Sequence, residues 1–129
     1  MTTFTEGKHA GSCIISEANG NRSRENVTLI QGQDLEANTV LGLITASGKY
    51  TAHDNNASDG SQVAKAILIS AADSTDGDML VAVLARDCEV IGEELSYKTT
   101  SPAVDEAAVA TDLAAVGIIV RPAQYEIVT

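Results

Sequence analysis

Tryptophan is absent from the chain, and only four aromatic residues occur: Phe4, Tyr50, Tyr97 and Tyr125. The core must therefore be built from Val, Ile, Leu and Ala. So few aromatics also argue against a host-surface adhesion module, because binding hot spots are enriched in Trp and Tyr. Cysteine is scarce too. Cys13 and Cys88 are the only two, with no CxxC spacing and no nearby histidine, so neither a zinc site nor a redox motif is signalled. Cys88 lies in an apolar, strand-like run and reads as a small core residue. Cys13 lies in the N-terminal segment and reads as exposed. A bridge between them stays open on sequence alone, although none is expected in a reducing cytoplasm.

Long hydrophobic runs are missing. The longest, Met79–Ala85, falls far short of the roughly 20 apolar residues that span a bilayer. A basic n-region followed by an apolar h-region is also missing, which predicts no secretion signal. The three Asn-X-Ser/Thr sequons, at Asn21, Asn26 and Asn56, then read as chance. Positive charge is in short supply, with 8 Lys and Arg against 18 Asp and Glu and a net charge of −10. The balance is uneven. Residues 1–33 hold Glu6, Glu17 and Glu25 against Lys8, Arg22 and Arg24, so all of the excess acid lies beyond them. Such a body repels phosphate backbones, and no basic stripe offsets it, which excludes direct nucleic-acid binding.

Catalytic and metal-binding signals are equally thin. His9 and His53 are the only histidines, and neither sits in a pattern that would place it beside a nucleophile and an acid. There is no GxSxG, P-loop, GxGxxG or HExxH. The acidic loops starting at Asp54 and Asp73 both fail the calcium-loop template at positions 6 and 12 or earlier, so they read as solvated turns. No catalytic residue, metal ligand or cofactor is assigned.

What remains is a β-rich pattern. From Gln31 the chain reads as short strands: Thr39–Thr45, a turn at Ala46-Ser47-Gly48, then Lys49–Ala52 as a hairpin. The two most apolar runs, Val63–Ala72 and Met79–Val90, flank the turn-rich connector Asp73–Asp78. Runs with so little alternation suggest strands covered on both faces, in part by a subunit interface. One helix is predicted, with Pro102 and Asp105-Glu106 at its start, Val109, Leu113 and Val116 on one face, and Gly117 as its stop. Gly117–Val120 then reads as a last strand.

Residues 1–30 differ from this body. Ser12–Ser16 and Asn26–Ile30 are strand-prone, with a turn at Ala18–Asn21, but the first 25 residues hold too little apolar surface to fold alone. Composition leaves three readings open: a disordered tail, the first strand of the body, or an arm that pairs with the sheet edge of another chain.

Four stretches, Ser16–Leu29 (SEANGNRSRENVTL), Thr39–Tyr50 (TVLGLITASGKY), Asp59–Asp73 (DGSQVAKAILISAAD) and Asp78–Ile91 (DMLVAVLARDCEVI), followed by Asp112–Pro122 (DLAAVGIIVRP), resemble the lambda-type bacteriophage head decoration proteins. The resemblance implies a mainly β fold with one short helix, β-clip-like and trimeric. It implies a capsid decoration protein on the virion's outer surface, made in the host cytoplasm. Such a protein binds the major capsid protein of the expanded head at threefold positions and stabilises the shell against DNA pressure. It further implies an extended capsid-binding N-terminal arm over residues 1–30, ahead of a decoration domain at residues 31–129. In that arm Ser12, Ile14, Ile15, Val27 and Leu29 are expected to bind the coat protein. The competing class is a trimeric β-clip nucleotide hydrolase, which would need phosphate-binding basic loops. Here the body's bases, Lys49, Lys65, Arg86, Lys98 and Arg121, are scattered along the sequence.

Overall fold

A computed structural model describes residues 9–100 and 103–121. In chain order the strands are β1 (Ile14–Glu17), β2 (Arg24–Leu29), β3 (Asp34–Leu35), β4 (Val40–Leu43), β5 (Tyr50–Ala52), β6 (Ala64–Leu68), β7 (Ala72–Asp73), β8 (Met79–Leu84) and β9 (Cys88–Ile91). A 3-10 turn at Gly92–Glu94, the helix α1 (Glu106–Ala115) and β10 (Ile118–Arg121) complete the described chain. The protein is mainly β with one helix, as the sequence predicts.

Five strands close into a small barrel in the order β2-β5-β4-β6-β8. A three-stranded sheet, β1-β9-β10, lies beside it, and β3 pairs with β7 as a two-stranded ribbon. The barrel is completed by a short parallel contact in which Leu29 sits opposite Tyr50, extended by a bond from the Ile30 N–H to the Tyr50 carbonyl at 2.9 Å. The predicted hairpin is present as β4 and β5. Its turn is held by the Ile44 N–H donating to the Lys49 carbonyl at 2.8 Å.

Two cores follow from this layering. Leu29, Leu41, Ala66, Leu68, Val81 and Val83 fill the barrel. A larger core, with Val40, Ile67, Leu84, Cys88, Val90, Val109, Leu113 and Ile118, lies between the outside of the barrel, the sheet and the helix. Alternate residues of β6 therefore serve different cores: Ala66 and Leu68 point into the barrel, and Ala64 and Ile67 point into the outer layer. This is the physical basis of the unalternating apolar run at that strand, since both of its faces are covered.

The run Met79–Val90 behaves differently. It is not one strand but two, because Asp87 takes a left-handed backbone (φ 53) that ends β8 and redirects the chain into β9. Asp tolerates that conformation better than a β-branched residue, and the apolar content on either side hides the break in the sequence. Nor is β8 covered throughout, for Leu80 and Ala82 face outward.

The helix begins where the acids predicted. Asp105 is its N-cap, and its carboxylate accepts from the N–H groups of Ala107 and Ala108. Val109 and Leu113 are fully buried, and Asp112 ties the helix to β6 by accepting from the Ala64 N–H at 3.2 Å. Gly117, at φ 89, ends it. An L-residue is disfavoured there, and the left-handed glycine lets the chain return directly into β10.

The expected boundary at Ile30 is corrected in the described residues. Every residue of β2 pairs with β8, from Arg24 opposite Leu84 to Leu29 opposite Met79. β1 pairs antiparallel with β9. Between them Ser23 is buried, with its hydroxyl donating to the Asp87 carbonyl at 2.8 Å. The segment's low apolar content is no obstacle, because its strands borrow the sheet and core of the rest of the chain. Residues 1–8 of the expected arm lie outside the described residues.

Candidate functional site

The catalytic and metal-binding readings can be tested against geometry first. His53 is buried, and its Nε2–H donates to the Gln62 carbonyl at 3.0 Å, so the ring closes its own loop. Among the described residues, no three His, Cys, Asp or Glu side chains are placed to hold a metal ion. The loop acids are occupied locally. Asp54 accepts from the Asn56 N–H, Asp59 from the hydroxyl and N–H of Ser61, and Asp73 from the hydroxyl and N–H of Thr75. These contacts, with the named partner the leading cause in each case, hold the three carboxyls below the ordinary aspartate value. They are turn-forming aspartates. A shallow cleft of about 320 Å³ is lined by Gln33, Asp34, Glu36, Tyr97 and Lys98 among others. The Lys98 ammonium there is paired with Asp54 at 3.0 Å.

The five residues expected to contact a coat protein are dispersed by the fold. Leu29 is fully buried inside the barrel, and Val27 packs against the same cluster. Neither is available to a partner in this conformation, which corrects the expectation for both. Their burial follows from β2 being a barrel stave, so that Val27 and Leu29, two residues apart, share the inward face. Ser12 is already engaged: it accepts from Asn38 Nδ2 at 2.7 Å and donates to Glu94 at 3.2 Å. Ile14 packs against the larger core. Ile15, at 45% exposure, is the one of the five presented to solvent as a large apolar side chain.

Ile15 occupies a distinctive place. β1 is an edge strand, with β9 on one side and no further strand on the other among the described residues. Its pairing with β9 is irregular between Ile14 and Ser16, which frees Ile15 from the inward-outward alternation. The outward face of the same sheet carries Ile119 at 40% exposure, directly opposite Glu89. Glu89 in turn accepts from the Ser16 hydroxyl at 2.7 Å and from Arg121 Nε at 2.6 Å. Those two contacts, the hydroxyl first, hold its carboxyl below the ordinary range and lock the three strands together. Glu17 at the end of β1 is gripped by Arg24 of β2 through two parallel bonds, of 2.7 and 3.0 Å. That bidentate pair lowers the Glu17 carboxyl and anchors the edge strand to the barrel.

Both cysteines belong to the larger core. Cys13 is fully buried, against the expectation of exposure, and both thiols are free. Burial, with a smaller contribution from Cys13, pushes the Cys88 thiol up to about 12. Neither sulfur then offers an accessible thiolate at neutral pH. Native protein is expected to leave both thiols unmodified by an aromatic disulfide reagent over the time in which urea-unfolded protein reacts fully. Prompt labelling of Cys13 under native conditions would show that β1 leaves the sheet readily.

No residue type that sequence reasoning assigns to chemistry gathers here. The feature it missed is the edge position of β1, which depends on a strand more than 70 residues away and has no local signature.

Comparison with protein-family models gives one match. The model of the bacteriophage lambda head decoration protein D matches residues 3–118. No curated protein matches the chain.

Proposed function

The chain belongs to the bacteriophage lambda head decoration protein D family, and on that premise we propose that it binds the exterior of the expanded head as β-clip-type homotrimers at threefold positions and stabilises the shell. The family is one of structural capsid proteins, not of enzymes, and its members belong to the outside of the virion. The observation that carries the reading is the extent of the match, which runs from the N-terminal segment through the helix.

In this proposal the coat protein meets the N-terminal segment along β1. The support is physical. An edge strand offers backbone donors and acceptors in register, Ile15 stands beside them as an apolar anchor, and an extended coat segment can add as a further strand. One such contact is weak. Three carried by a trimer act together, which raises affinity by roughly 100- to 10,000-fold over a single one. A protein that binds the expanded shell more tightly than the unexpanded shell shifts that equilibrium toward expansion. The nucleotide-hydrolase reading finds little support. Lys49, Arg86, Lys98 and Arg121 are each paired with a carboxylate and are not turned toward a common phosphate site.

The test is to mix purified protein with expanded and unexpanded heads and count bound copies. Full occupancy of expanded heads is expected, with at least a tenfold loss for Ile15→Asp at an unchanged melting temperature. Equal binding of the two head forms refutes the stabilisation reading, and normal decoration by Ile15→Asp refutes the β1 docking site.

A further inference from the structure

The surface of the barrel carries a second exposed apolar position, on a different face from Ile15. Leu80 is 70% exposed, the most of any large hydrophobic side chain among the described residues. It projects from the first half of β8 beside Ala82, which is also exposed. Thr28 and Asn26 of β2 lie directly across from them. The same face of β8 continues to Leu84, but there the outer layer covers it and Leu84 is fully buried. The cover stops short of Leu80.

The backbone is open at the same place. β6 pairs with β8 only through Ile67 opposite Leu84 and Leu68 opposite Val83, and the Ile69 N–H reaches the Ala82 carbonyl at 3.3 Å. Beyond that point the chain turns toward β7. Since Ala82 directs its carbonyl to the β6 side, Leu80, two residues earlier, directs its backbone groups the same way. That side of β8 is bordered by no strand at Leu80 among the described residues.

Charge indicates what can cover this face. A chain with a net charge of −10 resists approach by an identical chain unless the two meet where charge is absent or balanced. Asn26, Thr28, Leu80 and Ala82 carry none. The ionic groups around them are paired: Arg24 with Glu17, Lys49 with Asp78, Arg86 with Glu25 and Arg22 with Asp87. The acidic connector ending at Asp78 bounds the face at its Met79 end, and the acids of the 3-10 turn and the helix belong to other elements. A coat protein of opposite charge would need no such neutral zone, but a second copy of this chain does.

We propose that the Leu80 face of β2 and β8 is where copies of this chain meet, its open strand edge and uncharged side chains forming one side of a head-to-tail contact. In a closed ring of three that contact is heterologous, so each copy presents this face to a different patch on the next. The inference rests on the trimer reading above and assigns it a surface.

The experiment is sedimentation velocity on the full chain in three forms: wild type, Leu80→Asp and Ala82→Glu. Circular dichroism checks that the two variants fold, which their exposed positions favour. The expected result is an oligomeric wild type and folded variants that sediment as monomers, with association weakened at least tenfold. Variants that sediment like an oligomeric wild type overturn the Leu80 assignment and leave the trimer reading standing. A monomeric wild type at high micromolar concentration sinks the trimer reading itself, and the assignment with it. Variants that stay oligomeric but no longer decorate heads would place the coat protein on this face and refute the proposal.

Discussion

A chain that lacks residues 1–17 is expected to show no cooperative melting transition at 25 °C, although those residues read in the sequence as an appendage. The deletion removes β1 and turns β9 into an edge strand. It strips Cys13, fully buried, from the larger core together with Ile14, which packs there. It also deprives Asn38 of its partners. That side chain is fully buried, its residue has a left-handed backbone (φ 68), and its Nδ2 donates to Ser12 Oγ at 2.7 Å and to the His9 carbonyl at 3.3 Å. A buried amide left without partners costs about 1–3 kcal/mol. Losing the apolar cover of Cys13 and Ile14 costs a further 2 kcal/mol or so. The lost ladder bonds and the Arg24–Glu17 pair add to this, against a total stability of about 5–15 kcal/mol for a domain. Differential scanning calorimetry of the truncated chain is the measurement. A cooperative transition within about 5 °C of the full-length protein would mean that the segment is a dispensable arm after all.

Gly42→Val is expected to lower stability by about 3 kcal/mol, whereas Gly77→Ala leaves it within about 0.5 kcal/mol. The contrast isolates close approach from every other property of glycine. Gly42 lies on β4 where its register with β6 shifts, opposite Ala64. A side-chain carbon there would overlap the Ser61 carbonyl oxygen and lie 2.6 Å from the Ser61 Cα. The obstacle is backbone, so no rotamer change relieves it, and the barrel wall must open between β4 and β6. At Gly77 nothing lies within 4 Å of the same position, and its backbone is not in the left-handed region. Urea denaturation midpoints at constant m-value test both. If Gly42→Val and Gly77→Ala proved equally mild, Ser61 would not be pressed against β4 in solution.

Local sequence carried the elements well. The β4–β5 hairpin, the helix with its Asp105 cap and Gly117 stop, and the strand after it are all where propensity and turn chemistry place them. The unbroken apolar character of β6 foretold cover on both faces, and the two cores supply it. The break at Asp87 escaped because a single residue in a left-handed backbone carries no hydrophobic signature. The glycine at position 42 escaped because its constraint comes from Ser61, nineteen residues on, across a strand pair.

For the N-terminal segment the division is sharper. Its sequence determined that Ser12–Ser16 and Asn26–Ile30 are strand-prone, that a turn separates them, and that the segment is electrically neutral while the rest of the chain holds all the excess acid. Composition could not say whose sheet those strands would join, because pairing is a property of two strands and depends on the partner's register and cover. Tertiary structure decided it: β1 takes the edge beside β9, and β2 becomes a wall of the barrel beside β8. The same pairing turned Val27 and Leu29 inward and left Ile15 and Leu80 outward. Strand propensity is local, but which face of a strand meets water is set only when the sheet and the core behind it are complete.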